Sequence, residues 1–382
     1  MRWVGLWILL CSSLLWAESV AKPSEVLVIT NVNVVDTRYG SVLPKMTVFI
    51  HDGVIAAIGK VGIIDPGART RVVNGNGVYL APGLWDMNTH LGKTARNSAA
   101  RKAFFELYIA SGITGLRDLD TDGPLTLDET ALQPELEPAH PRWGKGTSDG
   151  GLGSARSIED LNQIFLECES RQAAQPKQSA KKPDGEALES AAACPDGETA
   201  HKLFVEISDH ATWVVPSLVS AELSSDESLR NRQEFLALNS YEQMPPILGL
   251  RESSGLVRSM HRAGVQFLAG TNGPSANFLS RNPMQRELEL LVESGFSPTE
   301  ALQSATFNPA LYMAKLNKYG VVEAGHIADL VLFDGNPLED IRNTRKVNAV
   351  ILRGRYFSRA DLDRMAADAE SHLHEELAAG HE

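Results

Sequence analysis

Basic residues are in short supply. The chain carries 36 Lys and Arg against 48 Asp and Glu, a formal net charge of -12. That excess of acid argues against nucleic acid or an anionic membrane surface as a partner. Cysteine is scarce, with only Cys11, Cys168 and Cys194. Two cysteines beyond the N-terminal run make no disulfide framework, so a bond between Cys168 and Cys194 is left optional. No apolar run reaches the roughly twenty residues that a spanning helix needs. The longest, Trp3 to Ala17, follows Arg2 and gives way to small residues. It reads as a signal peptide over residues 1–21, cleaved after Ala17 or Ala21. A periplasmic or secreted protein is therefore expected, anchored to the membrane if uncleaved.

An apolar period is missing from two internal stretches. Asp120 to Gly153 is rich in Pro, Gly, Glu and Asp and reads as loop. Gln172 to Glu198 is rich in Ala, Lys, Pro and Gln and reads as disordered.

Elsewhere the composition is that of an ordinary globular chain, and the length suits a barrel-sized domain plus a smaller one. The stretch from Val26 to Asp36 is β-branched and partly alternating, which predicts a strand. Thr47 to Gly59 reads as two strands joined by Asp52-Gly53, a strong hairpin signal. Val72 to Tyr79 is a second hairpin candidate. Near the other end, Gly325 to Leu338 and Val347 to Arg355 repeat the pattern of strand and turn.

Between these blocks lies Pro82-Gly83-Leu84-Trp85-Asp86-Met87-Asn88-Thr89-His90. An apolar run leaves a Pro-Gly turn and ends in polar residues, as a buried strand does when it delivers side chains to a site. Gly112 to Leu119, Ser157-Ile158-Glu159-Asp160, Ala211 to Leu218 and Gly264 to Asn272 read as further strands. Helices are expected over Ala99 to Ser111, Asn282 to Ser294 and Ser297 to Thr306, the last with a serine N-cap and proline at the first helical position. Asp361 to Glu382 reads as an amphipathic or partly frayed helix.

These segments resemble the amidohydrolase superfamily, in its imidazolonepropionase-like and prolidase-like branch. The likeness is specific over Leu80 to Leu119 and Trp213 to Arg355. It implies an α/β fold: an amidohydrolase-type (β/α) barrel plus a small β-sandwich domain built from both chain ends. The implied division is β-sandwich over 22–80 and 317–358, barrel over 81–316, and a helical tail over 359–382. The barrel is expected to be incomplete, with units three to five missing. Only about three dozen residues separate the second and sixth strand candidates, whereas three β/α units need roughly thirty residues each.

Relatives in this family use a divalent metal ion to polarise the scissile bond and to generate hydroxide. The resemblance places the two first-strand histidine ligands at Asn88 and His90. The sixth-strand histidine falls on Asp160, and the eighth-strand aspartate, which is also the general base, falls on Asn272. The lysine ligand and the fifth-strand histidine have no counterpart. An asparagine cannot take a proton from water at neutral pH. His90 and Asp160 are thus the remaining metal candidates, with Asn88 at the position of a third. The other reading of His90 is a hydrogen bond at the strand end, and of Asp160 a helix cap. The expected cofactor is none, or zinc or another divalent metal if the chain is active.

Three further readings complete the sequence picture. Asp86, Arg117 and Asp118 are expected to form an ion pair holding the strands. Glu287 and Glu289 are expected on the solvated face of a helix. No His/Asp pattern surrounds Ser217, so serine-hydrolase chemistry is set aside. The functional expectation is a relative of C–N hydrolases whose chemistry is impaired or lost. The alternatives are a residual single-metal enzyme and a non-catalytic protein binding a small-molecule ligand or a partner, with a homodimer expected to cover open strand edges.

Overall fold

The computed structural model describes residues 26–60, 70–91, 98–120, 123–126, 156–174, 197–225, 248–273 and 282–379. The 1–21 segment and most of the two stretches without apolar period lie outside them. Where those stretches are described they are ordered elements. Gly123–Thr126 is a strand, and residues 172–173 end a helix.

The two chain ends meet in one eight-stranded sheet. The N-terminal side gives β1 (Val26–Asp36), β2 (Ser41–His51), β3 (Val54–Lys60), β4 (Thr70–Asn74) and β5 (Tyr79–Pro82). The C-terminal side gives β12 (Leu330–Phe333), β13 (Val347–Leu352) and β14 (Arg355–Ser358). The order is β14-β13-β12-β5-β1-β2-β3, with β4 also on β1. β5 and β12 pair antiparallel, Leu80 opposite Leu332, and so tie the two ends of the chain together. Asp52 and Gly53 both take positive φ, 51° and 75°, as a two-residue hairpin between right-twisted strands requires.

The second hairpin expected from sequence is corrected. β4 and β5 do not pair with each other; both run parallel to β1, at Val26 to Thr30 and at Asn33 and Val34. β1 bends at Asn31, which has φ 56°. The turn from Gly75 to Val78 carries the chain along β1 rather than back on itself, with Gly75 N–H donating to Thr30 and Asn33 N–H to Val78.

The remaining strands are short and mostly parallel. They are β6 (Leu84–Thr89), β7 (Ile113–Asp118), β8 (Gly123–Thr126), β9 (Ser157–Ile158), β10 (Trp213–Val214) and β11 (Gln266–Phe267). β9, β10 and β11 are parallel neighbours, as are β6 and β7. The groups join where Met87 N–H donates to Ala269 at 2.9 Å and where Thr89 bridges Gly273. The succession of parallel strands is therefore β9, β10, β11, β6, β7. β8 lies antiparallel on the outer edge of β7.

Helices cover these strands: α1 (Ser98–Ala110), α2 (Leu161–Ala173), α3 (Glu198–Asp209), α4 (Leu218–Ser225), α5 (Leu250–Arg262), α6 (Pro283–Glu293), α7 (Pro298–Ser304) and α8 (Phe307–Tyr312). α7 starts with the expected serine, elaborated into a full capping box between Ser297 and Glu300. The C-terminal α9 (Arg359–Ala379) is docked on α1. Its Leu362, Ala369 and Leu373 are buried in the same apolar cluster as Phe104 and Tyr108, which is why the helix persists to Ala379.

Two other expectations are corrected. Cys168 on α2 is fully buried and disulfide-bonded, so its pairing is not optional; Cys194 lies outside the described residues. Glu287 and Glu289 do not form a solvated face. α6 packs against α4, α5 and α7, and Glu287 is completely buried. Glu289 is largely covered and ion-paired with Arg286 and Arg345. Helical periodicity marks faces, but it does not reveal that neighbours cover more than one of them.

Candidate functional site

The site forms where β6 and the segment after β11 end side by side. Close approach is built into the backbone here. A Cβ on Gly270 would lie 2.5 Å from Val215 Cγ1 and 2.7 Å from Asn88 Cβ, so only glycine fits. Asp86 joins the two segments. Its carboxylate accepts from the Thr271 N–H at 2.9 Å, from the Thr271 hydroxyl at 2.5 Å and from the Asn88 N–H at 3.1 Å. Complete burial pushes its pKa up to about 6, and the Thr271 and Asn88 bonds limit that rise.

Asn88 is buried. Its Nδ2 donates to Ser217 Oγ at 3.0 Å, and its Oδ1 is buried without a partner among the described residues. Asn272 has φ 55°, a conformation asparagine tolerates, and its Nδ2 donates to Ser220 Oγ at 3.4 Å. His90 donates its backbone N–H to Gly273, and its Nδ1 lies 3.1 Å from Asp120 Oδ1. A histidine oriented by a carboxylate through one ring nitrogen has the build of a metal ligand. Three of the four residues singled out from sequence, Asn88, His90 and Asn272, are thus brought to one place.

The fourth has a different role. Asp160 is exposed at the end of β9 and is the N-cap of α2, its Oδ1 accepting from the Asn162 N–H at 2.9 Å. The expected interaction of Arg117 with Asp86 is present as a charge effect, burial raising the Asp86 pKa and the guanidinium lowering it, and further contacts of Arg117 lie elsewhere. Arg117 pairs with Glu159, and it donates from Nη1 to Ser157 Oγ and Tyr312 OH, both at 3.0 Å. Asp118 instead accepts from the Leu91 N–H at 3.0 Å. Charge alone suggested the nearer acids; strand geometry gives Arg117 the partner across from β7.

Sequence reasoning set Ser217 aside, placed Glu287 on a solvated face, and gave no role to Ser220 or Thr271. Glu287 carried no local signal, because the groups it bonds lie in a remote segment. Its Oε2 accepts from the Val219 N–H at 2.7 Å at the start of α4, and Leu218 also donates to it. Burial pushes its pKa up to about 8.

The donor set does not fit the ion of the parent family. Asn88 and Asn272 offer only neutral amide oxygens in place of an imidazole and a carboxylate, with their nitrogens bonded to serines and Asn88 Oδ1 left buried and unpaired among the described residues, and the Asp160 carboxylate caps a helix. Among the described residues no group of three His, Cys, Asp or Glu could hold a metal.

Residues 203–356 match the model of the amidohydrolase family. Among curated proteins the chain is similar to an adenine deaminase of Staphylothermus marinus, 23% identical over 354 residues, covering 81% of this chain and 54% of that protein. The chain thus spans about half the length of that curated relative. Among solved structures it is similar to a Xaa-Pro dipeptidase with bound methionine in the active site, with TM-score 0.55, 17% identity, 87% of this chain and all of the other. It is likewise similar to a putative prolidase from Bifidobacterium longum, with TM-score 0.54, 19% identity, 90% of this chain and 99% of the other. Residues 203–356 thus resemble the amidohydrolase family, and the fold is amidohydrolase-type with mixed α/β content.

Proposed function

We propose that this protein is an amidohydrolase homologue that has lost the metal-assisted hydrolysis of its relatives and holds a small-molecule ligand or a partner at the remnant mouth. The observation that carries this reading is the pairing of Asn88 with Ser217 and of Asn272 with Ser220. Two positions that need an anionic or imidazole donor carry neutral amides whose nitrogens are bonded to serines. Without an ionisable Asn272 there is no carboxylate there to take a proton from water. The barrel is reduced by units three to five, and the position of β8 on the outer edge of β7 supports this reading.

The protein acts outside the cytoplasm, periplasmic or secreted, and the disulfide on Cys168 supports an oxidising compartment. Among the described residues no helix is long and apolar enough to cross a membrane. A homodimer covers the strand edges exposed by the reduced barrel; sedimentation as a monomer would count against that part.

The test is turnover by the full chain. Xaa-Pro dipeptides, cyclic amides and adenine are each incubated with and without added zinc. Rates at the level of the buffer blank are expected, together with a cooperative thermal transition. Turnover that rises with bound metal would replace this reading with a residual single-metal hydrolase centred on His90.

A further inference from the structure

Ser217 stands immediately before α4, where a serine ordinarily turns its hydroxyl onto the N–H groups of the next turn. Here the Val219 N–H is taken by another residue and the Ser220 N–H by the carbonyl of Ser217. Leu218 and Val219 donate to the buried carboxylate of Glu287, which reaches across from α6. The Ser217 hydroxyl is thereby released from capping, and it accepts from Asn88 Nδ2. One turn further along α4, Ser220 Oγ accepts from Asn272 Nδ2. The backbone of Ser217 sits at φ 47°, a conformation that disfavours serine and persists only where the surroundings enforce it.

We propose that Ser217 and Ser220, with α4 held by Glu287, are positioning residues that stand in for the lost ion. In the parent family the ion ties the ends of the first and eighth strands together. Here β6 and the segment after β11 are each tied to α4 by an amide–hydroxyl bond. This inference rests on the reading that the ion has been lost.

The experiment uses the full chain in two arms. In the first, Asn88→Ala, Ser217→Ala and the double variant are unfolded thermally. Each single substitution is expected to lower the midpoint by a few degrees, and the double to fall no further than the larger single. Additive losses would overturn the proposal. Should Asn88→Ala not fold, Asn272→Ala against Ser220→Ala is read by the same rule. In the second arm, Asn88→His/Asn272→Asp, which removes both amides of the tie, is unfolded thermally without metal. A midpoint lowered by a few degrees is expected; an unchanged midpoint would overturn the proposal. The metal content of the native protein reports separately on the loss of the ion. Additive singles in a metal-free native protein would therefore sink the serine tie alone.

Discussion

β6 meets the segment after β11 and β7 meets β9 by different means. On the first side backbone groups do the joining, through the Met87 N–H to Ala269 and the bridge between Thr89 and Gly273. Neutral side chains then complete it, Asn88 on Ser217 and Asn272 on Ser220. On the second side, among the described residues, the link runs through side chains. Arg117 from β7 reaches Ser157 and Glu159 at β9, and Tyr312 at the end of α8 joins them. Where two strands share a ladder, neutral hydrogen bonds suffice at their ends. Where they do not, a nearly buried guanidinium with a carboxylate partner spans the distance. Such a pair is unforgiving, because removing one member leaves the other uncompensated.

The comparison breaks most readily at Arg117. Arg117→Ala should destabilise the chain by about 3–5 kcal/mol, since Glu159 and Tyr312 lose their common partner. Chemical denaturation measures this. A loss below about 1 kcal/mol would mean that the span between β7 and β9 is held by something else.

The next largest effect is expected at Glu287, beneath the neutral side. Its folded pKa, about 8, lies above the ordinary carboxylate value of 4.5. A carboxyl raised in the folded state contributes stability that is fully present below the unfolded value and is lost as pH rises through the folded one. The native chain should therefore lose stability between about pH 4.5 and 8, and Glu287→Gln should flatten that slope by roughly 2 kcal/mol or more over the window. Unfolding midpoints measured across the window decide it, and parallel curves for the two proteins would contradict the assignment. Asp86, raised to about 6, adds a slope of the same sign at lower pH.

The smallest effect sharpens the role of Asp160. As a helix cap it should tolerate Asp160→Asn almost without cost, whereas Asp160→Ala should cost about 1 kcal/mol. Equal losses for the two substitutions would point to a role for the charge itself.

Much of this architecture was legible in the sequence. Asp52-Gly53 encodes its hairpin locally, and Ser297-Pro298-Thr299-Glu300 encodes its cap. The stretch from Pro82 to His90 marks the strand that carries the site, with an asparagine at position 88 where the resemblance expects a histidine. What stayed hidden depends on contacts between distant segments. Nothing within Val72 to Tyr79 shows that both flanking strands lie parallel on β1. The surroundings of Glu287 come from α4, α5 and α7, and its hydrogen-bond donors from a segment nearly seventy residues away. Arg117 looked adjacent to acids in sequence, yet its partner Glu159 follows β9, 42 residues further along the chain.

The central claim is that neutral amides bonded to serines have taken the place of an ion's ligands. Its most direct measurement is the divalent metal content of the native full-length protein, purified without chelators from zinc-supplemented medium. The account predicts far less than one ion per chain. One tightly held zinc per chain would contradict it.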